Sequence, residues 1–215
     1  MTPRLKASCY NLLNYISDKQ PFSEPIVDFY LAMVSARKQE ENSNLPKIYS
    51  YTSNYCDQLM KRSKSCDKEN ERTIDLQSYD LLLFPILLKK PTKWSLVAID
   101  LRHKTICLYQ TKHWNEKFEI EPVEKLLTNY KKKMNIDPKK NVFEGFHNIF
   151  DEDNYMSQDS RIYPHNDFDS GAFICTCAEF LSRGDLKPYY RQSERLDYRH
   201  KIMYEIIEKK LLTNE

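Results

Sequence analysis

Residues 165–178 read His-Asn-Asp-Phe-Asp-Ser-Gly-Ala-Phe-Ile-Cys-Thr-Cys-Ala, a short polar stretch followed directly by an apolar one. The pattern predicts a loop that turns through Gly171 and opens a helix. A helix N-terminus presents one small side chain where backbone N–H groups and the macrodipole favour negative charge. A cysteine there would be a nucleophile of low pKa, but this chain has Ser170. What the stretch does therefore depends on the residues that surround Ser170.

The composition is that of a folded domain. The chain has 215 residues, of which 30% are charged and 40% hydrophobic, enough for one domain with a substantial core. Without an internal repeat or a clear boundary, we expect a single domain over residues 1–215. The net charge of +2 is too small to imply a nucleic-acid partner.

Targeting and redox signals are weak. No apolar run approaches membrane-spanning length, and residues 1–4 lack the apolar core of a signal peptide. The six cysteines show no paired framework. We expect an intracellular protein of the nucleus or cytoplasm, with reduced thiols and no contact with a membrane.

Metal and cofactor sites are not expected. Cys175 and Cys177 lie two apart in a predicted helix, so they point to different faces and suit burial better than zinc binding. The acidic run at residues 151–153 resembles the start of a calcium loop, but the required Gly and closing Glu are missing at the right offsets.

The centre of the chain is predicted to be β-structured. Asp80–Ile86 is a continuous apolar run, as expected for a strand buried on both faces. Trp94–Asp100 and Thr105–Tyr109 follow as two further strands, and the short links between the three suit antiparallel neighbours.

Helices are predicted on both sides of these strands. One begins after Ser23, a plausible N-cap, and ends near Lys38, and another opens at Pro122. The chain closes with a helix over residues 194–212, whose apolar side is predicted to carry Leu196, Met203, Ile207 and Leu211. The prediction is an α+β domain with a central mixed or antiparallel sheet flanked by helices.

Four stretches occur in an order and at a spacing typical of one protein family. They are Val27–Tyr30, Ile74–Ile86, Trp94–Asp100 and Arg199–Ile206. Together they resemble the SUMO-specific (sentrin-specific) cysteine proteases, which process ubiquitin-like proteins. The resemblance implies a papain-like cysteine-protease fold of the SUMO-protease type. It also implies a Cys nucleophile, a His that activates it, an Asp that orients the His and a Gln that holds the oxyanion.

All four of these catalytic side chains are replaced in this chain. The positions are occupied by Lys93 for the His, Gln110 for the Asp, Pro164 for the Gln and Ser170 for the Cys. An engineered Cys-to-Ser trap would leave the His and the Asp intact, so it does not explain Lys93 or Gln110, and Pro164 cannot donate a hydrogen bond. We therefore predict a catalytically inactive pseudoprotease that binds a protein partner as a scaffold, where the partner could be SUMO or another ubiquitin-like modifier.

One enzymatic alternative stays open. Lys93 and Ser170 would face one another, and Ser–Lys dyads occur on other folds. Such a Lys must be neutral, and Gln110 removes an acidic neighbour that would keep it charged. In the simpler interpretation Lys93 is solvated and Ser170 caps the helix.

Three retained residues are candidate ligand contacts. The resemblance implies that Trp94 covers a narrow tunnel that clamps a Gly-Gly tail, although Trp94 could equally be a core residue. Asp169 and Gly171 keep the turn that precedes the helix. The family's Trp before the early helix is replaced near Pro21, which weakens any transfer of the family's substrate to this chain.

Overall fold

A computed structural model of the chain describes residues 20–37, 45–61, 78–89, 92–111, 125, 127–130, 147–149, 167–185 and 188–212. The helices are α1 (Glu24–Ser35), α2 (Ser53–Lys61), α3 (Ser170–Ser182) and α4 (Arg195–Glu208). The strands are β1 (Ile48–Ser50), β2 (Leu81–Lys89), β3 (Thr92–Asp100), β4 (Thr105–Gln110) and β5 (His147–Ile149). Residues 127–130 are helical, and 3-10 turns at Asp167–Asp169 and Gln192–Glu194 lead into α3 and α4.

The five strands form one mixed sheet in the order β1-β2-β3-β4-β5. The inner pairs β2–β3 and β3–β4 are antiparallel, whereas β1 and β5 lie parallel to their neighbours. This confirms the predicted α+β fold with a mixed sheet. The β2–β3 hairpin extends further than predicted, because Leu88 pairs with Lys93 and Lys89 pairs with Thr92.

The central strands are buried on both faces, as the continuous apolar run of β2 predicted. On one face the core contains Leu81, Leu83, Trp94, Leu96 and Ala98, together with residues of α1, α3 and α4. On the other it contains Leu82, Phe84, Ile86, Val97 and Ile99, together with Tyr130 and residues of α2.

Helix α3 is almost wholly buried, and it runs across the first of these two faces. Cys175 and Cys177 lie in the core, as predicted, and burial raises the pKa of both thiols. Such thiols are poor nucleophiles and poor metal ligands. Among the described residues there is no cluster of three metal-ligating side chains, and no described helix is long and apolar enough to cross a membrane.

The predicted apolar side of the last helix is wrong in part. Leu196 and Ile207 are 39% and 52% exposed, and α4 ends at Glu208 rather than at residue 212. The buried face carries Arg199 and Glu205 beside Ile202 and Met203. Hydrophobic periodicity cannot find this face, because a charged side chain is buried only when a partner elsewhere in the chain compensates for its charge.

Smaller departures concern the helix ends. Helix α1 ends at Ser35. Ser23 is its N-cap by position, but the Ser23 side chain makes no capping bond; instead, the Ser23 carbonyl accepts hydrogen bonds from the N–H groups of Ile26 and Val27. The acidic run 151–153 and Pro164 lie outside the described residues.

Candidate functional site

The start of β3, the end of β4 and the N-terminus of α3 meet at one place. Three of the four positions predicted to replace the catalytic residues lie there, namely Lys93, Gln110 and Ser170. Their exposed fractions are 3%, 2% and 1%. The fourth, Pro164, lies outside the described residues, and the correspondence of all four to catalytic positions stays a prediction.

The Ser170 hydroxyl is bonded to the main chain on both sides. Its O–H donates to the Asp167 carbonyl oxygen at 2.5 Å, and its oxygen accepts from the Trp94 backbone N–H at 3.0 Å. Ser170 is the first residue of α3, and its hydroxyl closes the preceding 3-10 turn onto β3. The hydroxyl proton is thereby directed at a carbonyl group, which is not a base.

Lys93 has an acidic neighbour from outside the sheet. Its Nζ lies 4.0 Å from Asp167 Oδ1, and the same oxygen accepts a hydrogen bond from the Thr111 hydroxyl at 2.7 Å. The Lys93 side chain is buried, whereas that of Asp167 is partly exposed. Asp167 therefore supplies the carboxylate neighbour that the Ser–Lys hypothesis takes to be missing.

Gln110 is held within the sheet. It pairs with Ser95 across the β3–β4 ladder, and the Ser95 hydroxyl is 3.4 Å from its Oε1. This neutral amide provides a hydrogen-bond acceptor at the end of β4 but no negative charge. It cannot stabilise a cationic base as a carboxylate would.

Gly171 serves close packing rather than a turn, which corrects the sequence-based expectation. It lies inside α3, and among the described glycines only Gly184 has a positive φ. A Cβ on Gly171 would lie 2.7 Å from Phe22 Cβ and 3.1 Å from Trp94 Cδ1. No side chain fits there unless its neighbours move.

Trp94 is a buried residue that contacts the segment before α1. It is 1% exposed, and its indole Nε1–H donates to the Phe22 carbonyl at 2.9 Å. Phe22 follows Pro21, near which the loss of the family's early Trp is predicted, and no sequence pattern singled out Phe22 itself. Whether Trp94 contacts a ligand stays a prediction.

Asp169 is fully buried and bonded to two arginines of α4. Its Oδ1 accepts from Arg199 Nη1 and its Oδ2 from Arg195 Nη1, each at 3.2 Å. Arg199 is itself fully buried and also donates to the Gln20 carbonyl at 2.5 Å. Both Asp169 oxygens are thus engaged within the protein, and its role as a ligand contact is untested. The sequence pattern did not single out this pairing.

Comparisons with known proteins agree with this fold. Residues 20–211 match the family described as the Ulp1 protease family, C-terminal catalytic domain. A sentrin-specific protease of Caenorhabditis elegans is 26% identical over 208 residues, covering 95% of this chain and 27% of the relative. Human sentrin-specific protease 2 is 25% identical over 195 residues, covering 88% of this chain and 30% of the relative. The chain thus spans only about 27–30% of the length of these relatives.

Solved structures show the same fold. The C-terminal Ulp1 protease domain, in complex with Smt3, the yeast ortholog of SUMO, superposes with a TM-score of 0.66 at 17% identity, covering 92% of this chain and 80% of that one. The Ulp1-like SUMO protease catalytic domain of Chaetomium thermophilum gives a TM-score of 0.53 at 19% identity, covering 87% and 71%. Since the family match extends over nearly the whole chain, this protein belongs to the Ulp1 protease family.

Proposed function

We propose that this chain is a catalytically inactive SUMO-protease-like domain that acts as a protein-binding or scaffold subunit. The observation that carries the proposal is the Ser170 hydroxyl, which is 1% exposed and bonded to the main chain as both donor and acceptor. The residues at the other predicted catalytic positions support it. Lys93 adjoins Asp167, Gln110 is a neutral amide, and Pro164 has no donor.

The chemical argument concerns the proton of Ser170. A serine attacks a carbonyl only when a base takes its proton as the new bond forms. Here the proton points at a peptide oxygen, and the Trp94 N–H bond fixes the hydroxyl in that orientation. Attack would require both bonds to break and a base to replace the Asp167 carbonyl.

The proposed partner is a protein, and a ubiquitin-like modifier is the first candidate. A relative of the same fold was solved with Smt3, the yeast ortholog of SUMO. We further propose a single domain over residues 1–215, located in the nucleus or cytoplasm, that uses no cofactor, metal, nucleic acid or membrane.

Cleavage assays test the loss of activity. SUMO precursors, SUMO conjugates and a SUMO vinyl-sulfone probe are each incubated with the protein, and an active Ulp1-family protease serves as the positive control. We expect no product and no labelling above background. Turnover that Ser170→Ala abolishes would overturn the proposal.

Binding is tested separately by titrating the protein into isotope-labelled SUMO. Chemical-shift changes confined to one face of SUMO would support modifier binding. No change at high protein concentration would contradict modifier binding, and a pull-down from the source cell would then search for another protein partner.

A Ser–Lys hydrolase remains the second candidate, because the Lys93 side chain is buried beside the turn that holds Ser170. This candidate predicts a hydrolysis rate that rises with pH. The rate should fall to background in Lys93→Met, which keeps a long side chain but removes the amine. A flat, background-level pH profile would eliminate it. Asp167 argues against the candidate, since it places a carboxylate 4.0 Å from the amine.

A further inference from the structure

A cavity of about 210 Å³ lies at the far end of α3 from Ser170. It is lined by the end of α1, by the segment that leads into β1 and by Ser182, the last residue of α3. Because Ser170 is the first residue of that helix, the two ends are roughly 18 Å apart. The cavity is therefore separate from the positions predicted to replace catalytic residues.

Part of the cavity wall is apolar. Val34 and Ile48 line it and are buried, and Tyr79 contributes an aromatic ring that packs edge-on against Tyr49, with 5.2 Å between the ring centres. The volume is well above the space that one ordered water needs. The cavity can therefore hold a compact organic group, although it is smaller than the sites that bind drug-sized ligands.

The Ser35 hydroxyl is an unsatisfied polar group at this cavity. Ser35 is the last residue of α1 and lines the cavity, and its Oγ is buried without a hydrogen-bond partner among the described residues. A buried hydroxyl without a partner lowers stability, and buried polar atoms in folded proteins are nearly always satisfied. An acceptor bound inside the cavity would satisfy it.

The charged side chains that line the cavity, Arg37 and Lys47, are both cationic. Arg37 donates to Glu179 through Nη2 at 2.9 Å, which leaves further guanidinium N–H groups for another acceptor, and Lys47 is exposed. Arg183 and Lys201 also pair with Glu179, so positive charge is in excess beside the cavity. This excess offsets the repulsion that the carbonyl ends of α1 and α3 exert on an anion.

We propose that this cavity binds a small organic acid. The carboxylate pairs with Arg37 and Lys47 and accepts a hydrogen bond from the Ser35 hydroxyl, since its oxygens are acceptors only. The compact apolar body of the ligand packs against Val34 and Ile48. The inference is independent of the proposed function, because the cavity shares no residue with the predicted catalytic positions.

A titration with phenylacetate tests the site and the charge of its ligand. The backbone N–H signals of the isotope-labelled protein are followed by NMR. We expect saturable shifts concentrated at Val34, Ser35 and Ile48. Phenylacetamide, which has the same ring but no charge, should bind at least about tenfold more weakly. Equal affinities, shifts centred elsewhere in the chain, or no shifts up to millimolar ligand would overturn the proposal.

Two substitutions test the polar contacts. Ser35→Ala removes an unsatisfied hydroxyl, so the free protein should unfold at the same urea concentration or a higher one, whereas phenylacetate should bind several-fold more weakly. Lys47→Met should weaken binding about tenfold. The control Lys61→Met, at an exposed lysine of α2 that does not line the cavity, should leave binding unchanged. Unchanged affinity in both Ser35→Ala and Lys47→Met would overturn the proposal.

A peptide identifies the source of the carboxylate. The tripeptide Ala-Ala-Phe carries an aromatic ring and a carboxylate at the end of a main chain, so it represents the C-terminus of a protein. Weaker binding of the tripeptide than of phenylacetate supports a free organic acid as the ligand. Tighter binding of the tripeptide would overturn that assignment and give the cavity to a chain terminus.

Discussion

The two ends of α3 are each held by a buried carboxylate, but in different ways. At the N-terminus, Asp169 is bonded to Arg195 and Arg199, and Arg199 is fully buried. At the C-terminal end, Glu179 is equally buried but pairs with three partly exposed side chains. These are Arg37 at 2.9 Å, Arg183, and Lys201 at 3.9 Å.

The two ends differ in whether water can solvate the paired cations when the carboxylate loses its charge. If Glu179 lost its charge, its cations could turn towards solvent, because each is already partly exposed. Arg199 has no such alternative, so loss of Asp169 would take away its carboxylate partner while the guanidinium stays in the core. The end of α3 that depends on a fully buried ion pair is therefore the end that carries Ser170.

The largest expected effect comes from breaking the buried pair. Arg199→Met should lower the free energy of unfolding by about 3–5 kcal/mol, because it leaves the Asp169 carboxylate buried with one arginine fewer. Urea unfolding followed by circular dichroism measures it. Arg195→Met is the matched control; with 31% of that side chain exposed, we expect a smaller loss of about 1 kcal/mol. Equal losses would show that burial of the arginine does not matter.

The two glycines near the ends of α3 should respond differently to substitution, because close contacts limit Gly171 and the backbone conformation limits Gly184. Gly171→Ala should cost about 1–3 kcal/mol by overpacking against Phe22, and Gly171→Asn should cost more because its side chain is larger. At Gly184 the φ is +84° and no neighbour would contact a Cβ. There Asn should be tolerated better than Ala, because Asn adopts the left-handed conformation more readily. Thermal unfolding of the four variants checks both orders, and the same order at both sites would contradict this distinction.

Neutralising the carboxylate at the C-terminal end should have a modest effect. Glu179→Gln keeps a hydrogen-bond acceptor, and its three cations can reach water, so we expect a loss of about 1 kcal/mol. Asp169→Asn should cost clearly more, since Arg199 would stay charged in the core. Chemical denaturation of the two variants side by side tests the comparison, and an inverted order would refute it.

The smallest loss of stability is expected at Asp100, a buried carboxylate that lies away from α3. Asp100 accepts from the backbone N–H groups of Arg102 and His103 at the β3–β4 turn. Burial raises the pKa of Asp100, but the hydrogen bonds from His103 and the charge of Arg102 together outweigh burial and leave the pKa below its ordinary value.

A lowered pKa stabilises the fold at neutral pH, and the contribution is lost as pH falls through the folded-state value. Asp100→Asn should therefore cost up to about 1 kcal/mol at pH 7, and its difference from the unsubstituted protein should vanish at acidic pH. Urea midpoints measured across the acid range test this, and a difference independent of pH would contradict it.

Much of the fold could be predicted from local patterns. The apolar runs of β2 and β3 predicted a central sheet buried on both faces, and the polar-to-apolar change at Ser170 predicted the start of α3. Four family-like stretches then gave the family, which the match over residues 20–211 confirms. These features succeed because each depends on residues that are near one another in the chain.

The site depended on contacts that no local pattern contains. Phe22 meets Trp94 across 72 residues, and Tyr30 donates to Glu205 across 175. Arg199 and Glu205 look like solvent-facing residues in sequence, and so Leu196 and Ile207 were wrongly assigned to the buried side of α4.

The sequence by itself indicated the family and the order of the central strands β2, β3 and β4 and of helices α1, α3 and α4. That Lys93, Gln110, Pro164 and Ser170 replace catalytic residues stays a prediction. Only the tertiary structure decided that Ser170 bonds to the main chain, that Asp167 lies beside Lys93, and that Phe22 packs against Trp94. The physical reason is that a polar or charged group can be buried only where a partner is already placed for it. Chain folding brings that partner from elsewhere in the sequence.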